Sequence, residues 1–411
     1  MSAQSEADTC QAKLKMVSEP VHSPTRALAV LHPVFALTGV LHAAVGSLVP
    51  SVTLRFQLGD RDSGLLFLLY YGGTSIGALM SRRNYLRTIT LGFLGVVGSC
   101  MLVVESSRAL LPISFLLLGI SVGVPMSAVS LFVGRAFPER CAPILTFLNF
   151  SWSIGALAAP LIAARILMQH TYRAAYLFFA ALAMVAALAC SLFLKERRSE
   201  ERTVSSGSGY LRVGLILIFA LAAFLEVGIE NTAAAWLPTY LLRSAEKGIA
   251  LAAASSSFYW VGFLVSRGLC SLVLMRVAPI HIFRVAIAMG MVAALLLATV
   301  TSATGRGVSI FILGAALAPN YPLVVAGSLA RVQRSSDSRW VMATAGFGGS
   351  VLPWLAGAIS AHAGSLRMGM LVIPAALIVM LTLIPAFRGI KQPAAQTENC
   401  GANEKTSNPL H

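Results

Sequence analysis

The sequence predicts an all-α polytopic membrane protein, with twelve transmembrane helices in two pseudo-symmetric six-helix bundles. Three observations carry that prediction. Apolar runs of about 18 residues or more recur along most of the chain, each long enough to cross a bilayer. Charged residues make up 11% of the chain against 57% hydrophobic ones, whereas a soluble domain carries roughly 25% charged. The basic residues sit in short tracts between the apolar runs, where topology signals belong. A β-barrel would show alternating segments of about ten residues, and none of these runs alternates.

The elements follow in order. Residues 1–26 are polar and basic, without an apolar stretch leading to a cleavage site, and are expected to form a cytoplasmic tail. Twelve apolar spans follow near 27–53, 64–81, 88–104, 110–134, 142–166, 174–194, 212–241, 249–274, 281–301, 307–330, 340–361 and 368–388. The first six spans (27–194) and the last six (212–388) define the two bundles. Between them, 195–211 is charged and rich in Ser and Gly, the composition of a linker. Residues 389–411 are polar and read as a disordered tail. With both termini inside, 22 of the 31 Lys and Arg residues face the cytoplasm, so the expected location is the plasma (inner) membrane with cytoplasmic termini.

The net charge of +15 is spread over these tracts, which argues against a nucleic-acid partner. The six cysteines are scattered without a CxxC pair, and no metal or cofactor motif is present. No catalytic signature marks the chain as an enzyme.

The two bundles repeat one another. Pro50 closes the first span and Pro238 the seventh, each with an Arg five residues on, Arg55 and Arg243. FLLLG ends at Gly119 in the fourth span, and IFILG ends at Gly314 in the tenth. GALAAP from Gly155 matches GGSVLP from Gly348, which ends at Pro353. The offsets of 188, 195 and 193 positions point to one duplicated six-helix unit.

The seventh span holds the chemistry, in FLEVGIENTAAAWLPTY from Phe224 to Tyr240. Glu226 and Glu230 are four apart and share a helix face with Asn231 and Thr232 close by. An ionised group at that depth costs roughly 2.5–3.5 kcal/mol even on lenient scales, so the face is expected to line a polar pathway. In the duplicated register His42 occupies the depth of Glu230, and an imidazole is a candidate proton relay. Asn149, Trp152, Trp236, Tyr259, Asn320 and Tyr321 complete the candidate substrate and coupling set, since amides and aromatic faces suit a polyhydroxylated ligand. Asn149 and Trp152 share a face by their i, i+3 spacing. Arg267, Arg82, Arg83, Gly77 and Pro353 are structural or gating candidates; Arg267 either snorkels to the inner interface or serves as counter-ion to a seventh-span acid. Pro319 and Pro322 in one span predict a bent or locally unwound helix.

From about residue 30 to 388 the chain resembles the major facilitator superfamily, and within it the fucose permease-like branch of fucose–galactose–proton symporters. The resemblance rests on GIENTAAAWLPTYLLR, SRGLCSLVLMR, ALAPNYPLVVAGSLAR and GFGGSVLPWLAG. The loop after the second span reads GALMSRRNYLR, with Ser81 and Asn84 where the superfamily carries an acid and a glycine. The branch's coupling acids in the first and fourth helices have no counterpart, Gly46 standing at the first. The resemblance implies a secondary transporter that moves a small polar solute, a sugar or related molecule, by alternating access, with protons as coupling ion and no cofactor. The expected assembly is a monomer in the lipid bilayer. An exporter of the same fold and a non-transporting sensor are the alternatives.

Overall fold

The computed structural model describes residues 24–80, 84–136, 141–193, 213–244, 248–274, 276–331 and 335–387. Both tails, the central linker and the loop holding Arg82 and Arg83 lie outside the described residues. The first bundle comprises α1 (Pro24–Phe56), α2 (Asp60–Met80), α3 (Tyr85–Glu105), α4 (Leu111–Ala136), α5 (Cys141–Leu167) and α6 (Tyr172–Phe193). The second comprises α7 (Val213–Ser244), α8 (Ile249–Val273), α9 (Pro279–Thr299), α10 (Ala303–Leu317), α11 (Asn320–Arg331), α12 (Ser335–Ala363), α13 (Leu366–Met370) and α14 (Val372–Leu383), with a final 3₁₀ turn at Ile384–Phe387. Each span expected from hydropathy is helical. Among the described residues eleven are long and apolar enough to cross a membrane, and α12, richer in Gly and Ser, supplies the twelfth.

Two spans depart from a single straight helix. The tenth breaks at Ala318–Pro319, where proline has no N–H to continue the ladder, and the Asn320 amide donates to Ala316 O at 3.2 Å. The twelfth steps at Leu371, ahead of Pro374. Pro50 and Pro238, by contrast, do not end their helices, which run on to Phe56 and Ser244. The stop after α1 is a left-handed residue, Gln57 at φ +50°, with Leu58 N–H closing on Thr53 O at 3.0 Å.

The duplication visible in the sequence is a duplication of helix crossings. Gly119 on α4 sits against the Tyr70 carbonyl of α2, and Gly314 on α10 against the Tyr259 carbonyl of α8. Gly73 meets Leu116 O as Gly262 meets Phe311 O, and Gly155 meets Ala36 O as Gly348 meets Phe224 O. Backbones approach this closely only where a side chain is missing. Gly46 lies against Ala234 O at the crossing of α1 with α7, and these two positions are themselves duplicates, 188 residues apart. That crossing therefore lies on the pseudo-twofold axis. Gly77 packs the same way on Ile120 O.

Between the bundles, α2 packs on α12, α5 on α8 and α1 on α7. The end of the molecule that carries the loops at 57–59, 106–110 and 364–365, here the far end, is drawn together. At the linker-side end α4 and α11 do not pack along each other among the described residues.

Candidate functional site: the polar centre between the bundles

Helices α1, α2, α5, α7, α8 and α11 bring their polar and aromatic residues to one place at mid-depth. His42 is buried among Tyr71, Trp152 and Tyr70, at ring-centroid distances of 5.2, 5.6 and 6.2 Å. Its Nε2 lies 3.5 Å from Asn231 Oδ1, and Asn231 Nδ2 donates to Gly349 O at 3.1 Å. This side chain thus links α1 of one bundle to α7 and α12 of the other. Trp152 continues the aromatic wall to Trp260 at 5.9 Å, and Trp260 packs on Tyr259 and Phe263 at 5.0 and 5.4 Å.

The charges lie against this wall. Glu226 is 0% exposed and Glu230 half-buried. Arg267 does not reach for the interface; its guanidinium lies over the Phe263 ring, 4.4 Å from the centroid, and Nη1 donates to Ser153 Oγ at 3.3 Å. The Arg267 charge is within electrostatic reach of both Glu230 and Glu226, and Tyr321 lies in the same field. It forms no direct ion pair with them: among the described residues the ion pairs are Asp60–Arg243 and Asp62–Arg108. Asn320 neighbours Glu226 without hydrogen-bond geometry, its amide being spent on Ala316 O.

Seven buried polar atoms in this region find no hydrogen-bond partner among the described residues: His42 Nδ1, Trp152 Nε1, both Glu226 oxygens, Tyr259 OH, Arg267 Nε and Asn320 Oδ1. Each unsatisfied buried group costs about 1–3 kcal/mol, so natural folds keep them few. Concentrated at the seam between two bundles, they form a surface built to exchange partners with something polar.

The structure does not bring every candidate here. Asn149, one turn before Trp152, is exposed, its amide bonded back to Leu145 O at 2.8 Å. Trp236 is buried nearer the far end, on Phe67 at 5.2 Å, with Nε1 donating to Pro353 O at 2.8 Å. Tyr70, Tyr71 and Ser153 were not singled out from sequence. The duplicated register held the signal for two of them, since Tyr70 and Tyr71 stand 189 positions before Tyr259 and Trp260.

Comparison with known proteins places the fold. The family model described as Major Facilitator Superfamily matches residues 31–337, and the chain belongs to that family. It is therefore a membrane transporter and not an enzyme, a secondary carrier of small polar solutes. The glucose/mannose transporter GlcP of Bacillus subtilis is 22% identical over 375 residues, covering 85% of this chain and 92% of that protein. The crystal structure of the nucleoside transporter NupG superposes with a TM-score of 0.73 at 10% identity, over 88% of this chain and 99% of that one. FucP in the outward conformation gives 0.61 at 18% identity, over 88% and 98%. The fucose-permease branch is thus not set apart from other branches of the superfamily, and the resemblance stands at the level of the superfamily. At these identities the solved structures speak for fold alone.

Proposed function

We propose that this protein is a proton-coupled carrier for a polyhydroxylated ring solute, with sugars the first class to test. The observation that carries the reading is the set of unpartnered polar atoms beside an aromatic wall at the seam. Indole and phenol faces stack on the C–H faces of a sugar ring, while amide, imidazole and guanidinium groups bond its hydroxyls. GlcP carries glucose and mannose, NupG a nucleoside, and FucP is a fucose:proton symporter. Solutes of these kinds share a ring bearing hydroxyls.

Desolvation disfavours the charged form of any carboxyl, which makes an intramembrane Glu a natural proton carrier. Arg267 balances one of the two neighbouring acids; the second calls for one further positive charge, so one proton per cargo is the expected ratio. Glu230, half-buried at the seam, is the coupling acid, and His42 at the matching depth relays. The bundles rock about the Gly46–Ala234 crossing. With both termini cytoplasmic, the far end faces outward, and the carrier works as a monomer in the plasma membrane.

The test is uptake into proteoliposomes across an imposed pH gradient. Glu230→Gln is expected to abolish gradient-driven accumulation while leaving cargo counterflow in place. Gradient-driven accumulation equal to that of the unaltered protein would remove Glu230 from the coupling role.

A further inference from the structure

At the far end three polar residues from three spans meet across the seam. Asp60, the first residue of α2, receives a two-pronged ion pair from Arg243 of α7, Nη1 to Oδ2 at 2.8 Å and Nη2 to Oδ1 at 2.5 Å. Ser360 of α12 donates to the same Oδ2 at 2.5 Å. The Asp60 side chain is 10% exposed and that of Arg243 44%. Bidentate Arg–carboxylate pairs are stronger and more directional than single contacts, and here the carboxylate side is shielded from water and salt.

Beneath this pair the seam is closed in layers. A Cβ on Gly357 would run into Asp60 O, the Trp236 ring and Gly64, and one on Gly64 would press on the Trp354 backbone. Phe67 packs on Trp236 one layer further in, above the His42–Asn231 link. Every layer joins a residue of the first bundle to one of the second.

Among the described residues this contact has no counterpart in the repeat. Arg55 occupies the position in the first bundle that Arg243 holds in the second; both are exposed, but among the described residues only Arg243 pairs with an acid. The register that places Asp60 at the start of α2 places Ile249 at the start of α8, so no acid stands at the matching position itself. Among the described residues, one copy of the motif has an acidic partner and the other shows none.

We infer that Asp60, Arg243 and Ser360 are a latch of the transport cycle, holding the far end shut in one state and parting whenever cargo enters or leaves there. This rests on the carrier reading, but on other residues and a different readout from the coupling role of Glu230. Asp60 acts by setting the ratio of far-end-closed to far-end-open molecules. It does not touch the cargo.

The experiment uses the full chain with its native cysteines replaced. In Asp60→Cys/Ser360→Cys, oxidation is expected to lower transport more than tenfold, about the effect of holding the cycle in one state, and reduction to restore it. Transport that persists with the cross-link complete would overturn the latch, because the seam would then not part. In a Thr239→Cys reporter, buried one residue beyond Pro238, Asp60→Asn is expected to raise labelling by an impermeant thiol reagent about tenfold. The reversal Asp60→Arg/Arg243→Asp should bring labelling back towards the starting rate. Folded Asp60→Asn protein labelled at the unaltered rate would also overturn the proposal. A failed Glu230 test leaves the labelling measurement intact, since labelling reads the seam without needing coupled transport, and the cross-link is then read by cargo counterflow.

Discussion

Gly119→Ala and Gly314→Ala should destabilise the protein by similar amounts, although the two positions lie in different bundles and 195 residues apart. In each case the added methyl meets a tyrosine carbonyl of the neighbouring helix, Tyr70 O or Tyr259 O. The obstacle is backbone, so no rotamer change relieves it and the helices must separate. Overpacking of this kind costs about 1–3 kcal/mol. Alanine recovers about 0.5–1 kcal/mol over glycine in a helix interior, so the net expectation is a loss of about 0.5–2 kcal/mol per site. Gly98 on α3 is the control, because a Cβ there would meet nothing within 4 Å; Gly98→Ala should be neutral or slightly stabilising. The assay is thermal unfolding of purified protein in one detergent, with all three variants and the Gly119/Gly314 double variant. The sites share no neighbours, so the double loss should be near the sum of the single losses. If either variant melts with the unaltered protein, or only one of the pair is harmed, the paired crossings are not what constrains these glycines.

Further outcomes follow from the seam and the centre. Gly46→Ala wedges α1 from α7 on the axis between bundles, so it should alter far-end labelling and transport rate more than melting temperature. Glu226→Gln removes a fully buried carboxyl with no hydrogen-bond partner, and relief of its desolvation should leave melting unchanged or raised; a fall of about 2 kcal/mol or more would show that the carboxylate has a partner that matters. Trp152→Ala, which breaks the wall between His42 and Trp260, should weaken cargo binding about tenfold or more in a thermal-shift titration, while Asn149→Ala should change it little. Equal losses at the two positions would place the cargo elsewhere on α5. Trp236→Phe should cost about 0.5–1.5 kcal/mol through its lost bond to Pro353 O, read by the same melting assay.

Much of this protein is written locally. Span boundaries agree with the helices to within a few residues, because a bilayer-length apolar run leaves the backbone no option but a helix whose hydrogen bonds close internally. The kink in the tenth span was legible from Pro319, since a missing N–H is a property of the residue itself. The ends of the first and seventh spans were not, because a membrane helix tolerates Pro50 and Pro238 and runs on. The duplicated FLLLG and IFILG segments announced a repeat without saying what it was for. Only the packing shows that their terminal glycines are where helices touch.

By itself, then, the chain determined its helices, its twofold internal likeness and the depth of Glu226, Glu230 and His42, all of which depend on neighbours along the sequence. The tertiary structure alone decided which of these side chains share a space. Asp60 finds Arg243 across 183 residues and Ser360 across 300; Arg267 turns to Ser153 of the other bundle. Helical periodicity sets the face a residue occupies, but the opposite face is supplied by a helix whose position depends on how both bundles pack. No local pattern encodes that choice.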